Sequence, residues 1–105
     1  MIEFLITFEH PVNVAIHWLR IHSGEVKAKA LYASAKQTGK TISSTCTVNI
    51  LVPGDFVDVE MFAVGTSNNM ITYNVSIGDK KLFKKDVEVI LKNGIAHNHK
   101  KDVAV

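Results

Sequence analysis

Three short stretches hold the residue types from which a chemical site could be built. The first is Ser34-Ala-Lys-Gln-Thr-Gly-Lys-Thr41, which ends in Gly-Lys-Thr like the tail of a phosphate-binding loop. Such a loop reads G-x-x-x-x-G-K-[ST] between a strand and a helix. Its first glycine lets the backbone turn tightly, so that several N–H groups converge on one phosphate. Here Ser34 holds that position, and the residues that follow, TISSTCTVNILV, are β-branched and alternating rather than helical. Gly39-Lys40-Thr41 therefore reads as a turn with Lys40 exposed, and nucleotide binding is not expected.

The second stretch is Ala96-His-Asn-His-Lys-Lys101. In a strand, residues two apart project from one face, so the imidazoles of His97 and His99 can reach a common metal ion. Zinc needs at least one further ligand, for which His10, His17, His22 and Asp102 are available. The H-x-H pattern alone specifies little, and its lysine-rich surroundings read as an exposed segment. His97 and His99 are thus the metal candidates, but no cofactor is expected.

The third stretch holds Asp55, Asp58 and Glu60. Paired carboxylates serve acid–base chemistry or bind calcium. A calcium loop would add asparagine, glycine and carbonyl ligands at a spacing this segment lacks, so a solvated strand face is expected. The single cysteine, Cys46, cannot form an intramolecular disulfide and reads as a small buried apolar residue. No G-x-S-x-G elbow is present. No catalytic constellation emerges, and the expectation is a protein that is not an enzyme.

The elements that must position these residues follow a period of two. Ile2, Phe4, Ile6 and Phe8 share a face, and Pro11 then marks an edge or a bend. Val12, Val14, Ile16 and Trp18 are expected on one face of a second strand. Residues 25–36 suit a strand by periodicity and a helix by composition, and strand is preferred. Ser44, Cys46, Val48, Ile50 and Val52 share a face, as do Ile71, Tyr73, Val75 and Ile77. Gly78-Asp79 and Asn93-Gly94 are hairpin connections, and Pro53-Gly-Asp55 is a turn. The pattern gives an all-β chain: an antiparallel β-sandwich of immunoglobulin-like architecture with seven to nine short strands, or else a small β-barrel. Residues 1–105 make one domain, its last residues, about 100–105, frayed.

At 47% apolar and 21% charged residues, the composition is that of an ordinary soluble globular chain. The formal charge of +2 is uneven, because Lys80-Lys81, Lys84-Lys85 and Lys100-Lys101 crowd the second half. With one arginine and no interleaved aromatics, nucleic acid is not an expected partner. No run approaches transmembrane length, and the N-terminal residues lack the pattern of a signal peptide, so no membrane association and a cytoplasmic setting are expected.

Residues 56–64, FVDVEMFAV, carry apolar side chains on both faces and need a second cover. A protein partner or a second copy of the chain would provide it. Met61, Phe62, Lys80 and Lys81 are the interface candidates. The expected role is a non-enzymatic interaction module, an accessory or structural component of a larger assembly. The alternative is a small-ligand or carbohydrate-binding sandwich that uses residues 65–69 with an aromatic. A metal-dependent role for His97 and His99 ranks below both.

Overall fold

Among the described residues, alternation of apolar and polar residues gives ten strands. They are β1 (Ile2–Pro11), β2 (Val14–Ser23), β3 (Val26–Ala30), β4 (Ser34–Thr38), β5 (Thr41–Ile50), β6 (Phe56–Gly65), β7 (Met70–Ile77), β8 (Lys80–Lys81), β9 (Val87–Ile90) and β10 (Ile95–Ala104). The structure is a computed structural model that describes the backbone of residues 1–30 and 34–105. Tyr32, expected to extend the inward face of residues 25–36, lies outside the described residues. Every pairing between strands is antiparallel.

The strands form two sheets. One has the order β4-β5-β1-β7-β8, with β9 also on β7, and the other has the order β10-β6-β2-β3. Their inward faces meet in one apolar core, so the chain is an antiparallel β-sandwich. Phe4 and Ile6 of β1, Leu19 and Ile21 of β2, Val59 and Met61 of β6, and Ile71 and Val75 of β7 are all fully enclosed. A polar contact spans the layers: the buried Tyr73 hydroxyl donates to Asn98 Oδ1 on β10 at 2.7 Å. Burial pushes the Tyr73 hydroxyl well above its usual value.

The turn signals appear where the sequence places them. Gly39-Lys40 joins β4 to β5, with Thr38 opposite Thr41, so the Gly-Lys-Thr stretch is a hairpin turn. Gly78-Asp79 joins β7 to β8. Asn93 and Gly94 both take positive φ, 54° and 76°, as a two-residue hairpin turn of the mirror-image type requires. Its flanking strands nevertheless diverge, β9 to one sheet and β10 to the other. Pro11 likewise marks a crossing: β1 lies inside its sheet, and the chain leaves for the other sheet at Val12-Asn13.

Three expectations need correction. Residues 25–36 are not one strand but parts of two, because β3 pairs with β2 in one sheet and β4 with β5 in the other. This division, with the two-residue β8, brings the count to ten. The C-terminal residues are paired rather than frayed: Val103 lies opposite Val57, and the Val105 N–H donates to the Asp55 carbonyl at 3.0 Å.

The third correction concerns β2. Ile16 pairs with Ala63 and Trp18 with Phe62, which leaves His17 as an extra residue, a β-bulge. The bulge reverses the phase of everything after it. Ile16, Leu19 and Ile21 face the core, and Trp18 turns to the outer face, half-buried. Val12 lies in the crossing segment and is exposed.

Candidate functional site

Because β6 lies between β2 and β10, each of its outward residues has neighbours on both sides. Register places Phe62 between Trp18 and His97, Glu60 between Arg20 and His99, and Asp58 beside His22. Lys29 and Lys27 of β3 stand beyond Arg20 and His22. The bulge at His17 makes this set, since without it Trp18 and Arg20 would point into the core.

The carboxylates organise the polar half. The β10 imidazoles reach one pair along the strand rather than straight across. His97 Nε2 lies 2.6 Å from Glu60 Oε2, and His99 Nε2 lies 3.5 Å from Asp58 Oδ2. Arg20 Nη2 donates to Glu60 Oε1 at 2.7 Å, and His22 Nε2 stands 3.6 Å from the same oxygen. That His22 nitrogen is buried and has no hydrogen-bond partner. Asp58 Oδ1 accepts the Asp102 N–H at 3.0 Å, and Asp102 has φ of 54° where the β6–β10 register shifts. Asp58 therefore secures an irregularity in the edge strand.

Burial pushes the Glu60 carboxyl up, but the hydrogen bonds from His97 and Arg20 and their positive charge outweigh it, and the group titrates below its ordinary value. A carboxylate of lowered value stabilises the fold fully above its unfolded value, 4.5, and loses that contribution as pH falls through the folded value. Glu60→Gln is expected to cost about 1 kcal/mol at neutral pH, the scale of a partly exposed charge pair. It should also flatten the acid limb of the stability–pH curve. Urea midpoints measured between neutrality and strong acid check this, and an acid limb as steep as in the unsubstituted chain would show that Glu60 is not its source.

Aromatic rings form the other half. Trp18 and Phe62 stack with centroids 5.7 Å apart and planes 22° apart. The His17 ring meets Phe62 edge-on at 5.5 Å, and His97 lies edge-on to both Trp18 and Phe62 at 6.4 Å. The Arg20 guanidinium lies over the Trp18 ring, 4.1 Å from its centroid, so one arginine joins the aromatic cluster to the Glu60 carboxylate.

Compared with known proteins, the chain matches no family model, no curated protein and no solved structure.

The structure separates the four interface candidates. Phe62 is half-buried on the outer face, while its neighbour Met61 points inward and is fully buried, so Met61 cannot meet a partner. Lys80 and Lys81 are exposed, but β8 belongs to the opposite sheet. Of the metal candidates, His97 and His99 face two different carboxylates instead of converging. Among the described residues no group of three or more His, Cys, Asp or Glu side chains is placed to hold a metal ion. Cys46 is in the core, where burial pushes its thiol up, away from the thiolate form. Among the described residues, no helix is long and apolar enough to cross a membrane.

Trp18, Arg20 and His22 are the site residues that the simple period-two reading misses. The signal for them was present: Ile16, Leu19 and Ile21 cannot share one strand face unless an extra residue intervenes.

Proposed function

We propose that the chain is a non-enzymatic β-sandwich module that acts by protein–protein contact through the outer face of its four-stranded sheet. One observation carries this reading. A stacked Trp18–Phe62 pair, capped by Arg20, stands half-buried at the centre of an open sheet face and is ringed by polar groups. Aromatic and arginine side chains in such a setting supply most of the energy of protein interfaces. The face is favoured over the sheet edges. The edge strand β3 carries Lys27 and Lys29, and the edge strand β10 carries Lys100, Lys101 and the irregularity at Asp102; charge and irregularity of this kind discourage strand addition. A cytoplasmic setting, which suits the unpaired Cys46, and an immunoglobulin-like architecture belong to the same reading.

Self-association is the version tested first. Trp18 is the only tryptophan, so its fluorescence reports directly on the face. Light scattering over a concentration series should show a dimer or larger assembly, accompanied by a blue shift in emission. Phe62→Ser should abolish both and leave the circular dichroism unchanged. A monomer at every concentration with constant emission would remove self-association and leave a different protein as the partner.

The loop 65–69 offers less support for the carbohydrate alternative. Asn69 Nδ2 donates to the Thr66 carbonyl at 3.0 Å, and the Asn68 N–H donates to the Leu91 carbonyl at 3.0 Å. The first uses the Asn69 side-chain amide to hold the loop, and the second ties the loop backbone to the segment after β9.

A further inference from the structure

The opposite outer face carries a different kind of site. A trough of about 470 Å³ crosses the larger sheet from Lys36 on β4 to Asp86 before β9. At the ~4.8 Å spacing of strands, the five strands involved span about 19 Å. Its floor lies on β5, β1 and β7 and presents Ser43, Thr45, Thr7, Glu9 and Thr72. Register orders them in rows: Ser43, Glu9 and Thr72 lie side by side, and Thr45 and Thr7 form the next row with Asn74. Polar side chains, hydroxyl, carboxylate or amide, therefore repeat at the strand spacing across the rows, and the hydroxyls of Ser43 and Thr45 lie about 6.7 Å apart along β5.

We propose that this trough binds an uncharged saccharide. Each floor hydroxyl both donates and accepts, as each sugar hydroxyl does. Glu9, between two hydroxyl neighbours, has two oxygens that accept from adjacent sugar hydroxyls, and such charge-assisted bonds are the strong ones. Among the described residues, the side chains of Thr7, Glu9, Ser43, Thr45 and Thr72 make no hydrogen bond or ion pair within the protein, so binding displaces only water. Asp86, which lines the trough, accepts from Asn74 Nδ2 through Oδ1 at 2.8 Å. Glu9 and Asp86 against the single Lys36 leave the trough net negative, which disfavours an anionic ligand. The volume falls within the range of small-molecule sites, about 300–1,000 Å³. This site is independent of the contact face on the other sheet.

The test is a titration of the isotopically labelled full chain, followed by amide NMR, with neutral tetrasaccharides of glucose, mannose, xylose and N-acetylglucosamine. At least one should move the amide signals of Thr7, Glu9, Ser43, Thr45 and Thr72 and leave those of Trp18 and Phe62 in place. Thr7→Val with Thr45→Val keeps shape and strand propensity but deletes two hydroxyls, and it should weaken binding about ten-fold or more. Glu9→Gln should weaken it as well. No movement of these signals with any of the four sugars would overturn the proposal. Equal binding by the variants would overturn it, and so would tighter binding of a sulfated sugar than of its neutral parent.

Discussion

Asn74→Ala is expected to destabilise the protein by about 3 kcal/mol, although the residue is not among those that line either proposed site. Asn74 sits on β7 and is almost completely buried. Its Nδ2 donates to the Phe83 carbonyl at 3.0 Å and to Asp86 Oδ1 at 2.8 Å. Its Oδ1 accepts the N–H groups of Val75 at 2.9 Å and of Phe83 at 3.4 Å. This one amide therefore fastens the segment between β8 and β9, which carries Phe83 onto the Tyr73 ring with centroids 6.1 Å apart. Removing the amide strands several polar groups at once, and each unpaired buried group costs about 1–3 kcal/mol. For a chain of this size the melting temperature should fall by about 12–20 °C. Thermal unfolding by circular dichroism measures it, and a fall of under about 4 °C would mean that water replaces the amide at little cost. The same bonds bear on Asn74-Val-Ser76, which has the N-x-[ST] pattern of a glycosylation acceptor: a glycan there would need the nitrogen that holds Phe83 and Asp86.

Much of the fold was legible because alternation is a local property. The inward faces of β1, β5 and β7 follow from strict period-two runs, and the turns at Gly39, Gly78 and Asn93 follow from residues that tolerate or demand particular backbone angles. The assignment of strands to sheets was not legible. It depends on which distant segments pair, as when β1 accepts β5 and β7 on its two sides. Trp18 shows the cost of assuming an unbroken period: one extra residue at His17 exchanges the faces of the rest of β2. The candidate face was half visible. Phe62 could be placed with Asp58 and Glu60 from the β6 alternation alone, and His97 with His99 from their spacing. That His97, Arg20 and His22 meet at Glu60, with His99 on Asp58, required β2 and β10 to flank β6, a long-range fact. Met61 and Phe62 both belong to the two-faced apolar run of residues 56–64, but adjacent residues in a strand take opposite faces, and the core covers the face that holds Met61.

Gly65 tests how tightly the two sheets are joined at one end. It closes β6 opposite Val14, where the chain has just crossed between sheets. A Cβ built on it would lie 2.5 Å from the Asn13 carbonyl oxygen and 2.7 Å from Val14 Cα. Both are backbone atoms, so no side chain can swing aside. The segment is held there from several directions: the Gly65 N–H donates to the Gly94 carbonyl at 3.0 Å and the Thr66 N–H to the Asn13 carbonyl at 3.3 Å. Gly65→Ala is therefore expected to cost about 3 kcal/mol, the upper part of the usual penalty for overpacking, and Gly65→Val more. Gly24 is the control, because it is glycine for the other reason. Its φ is 61° and nothing lies within 4 Å of a Cβ built there. Asparagine tolerates that backbone conformation, so Gly24→Asn should stay within about 1 kcal/mol of the unsubstituted chain, while Gly65→Asn should be as damaging as Gly65→Ala. Urea unfolding of the four variants separates the two causes. A loss at position 65 no larger than at position 24 would mean that the close approach of Asn13 and Val14 does not require glycine there.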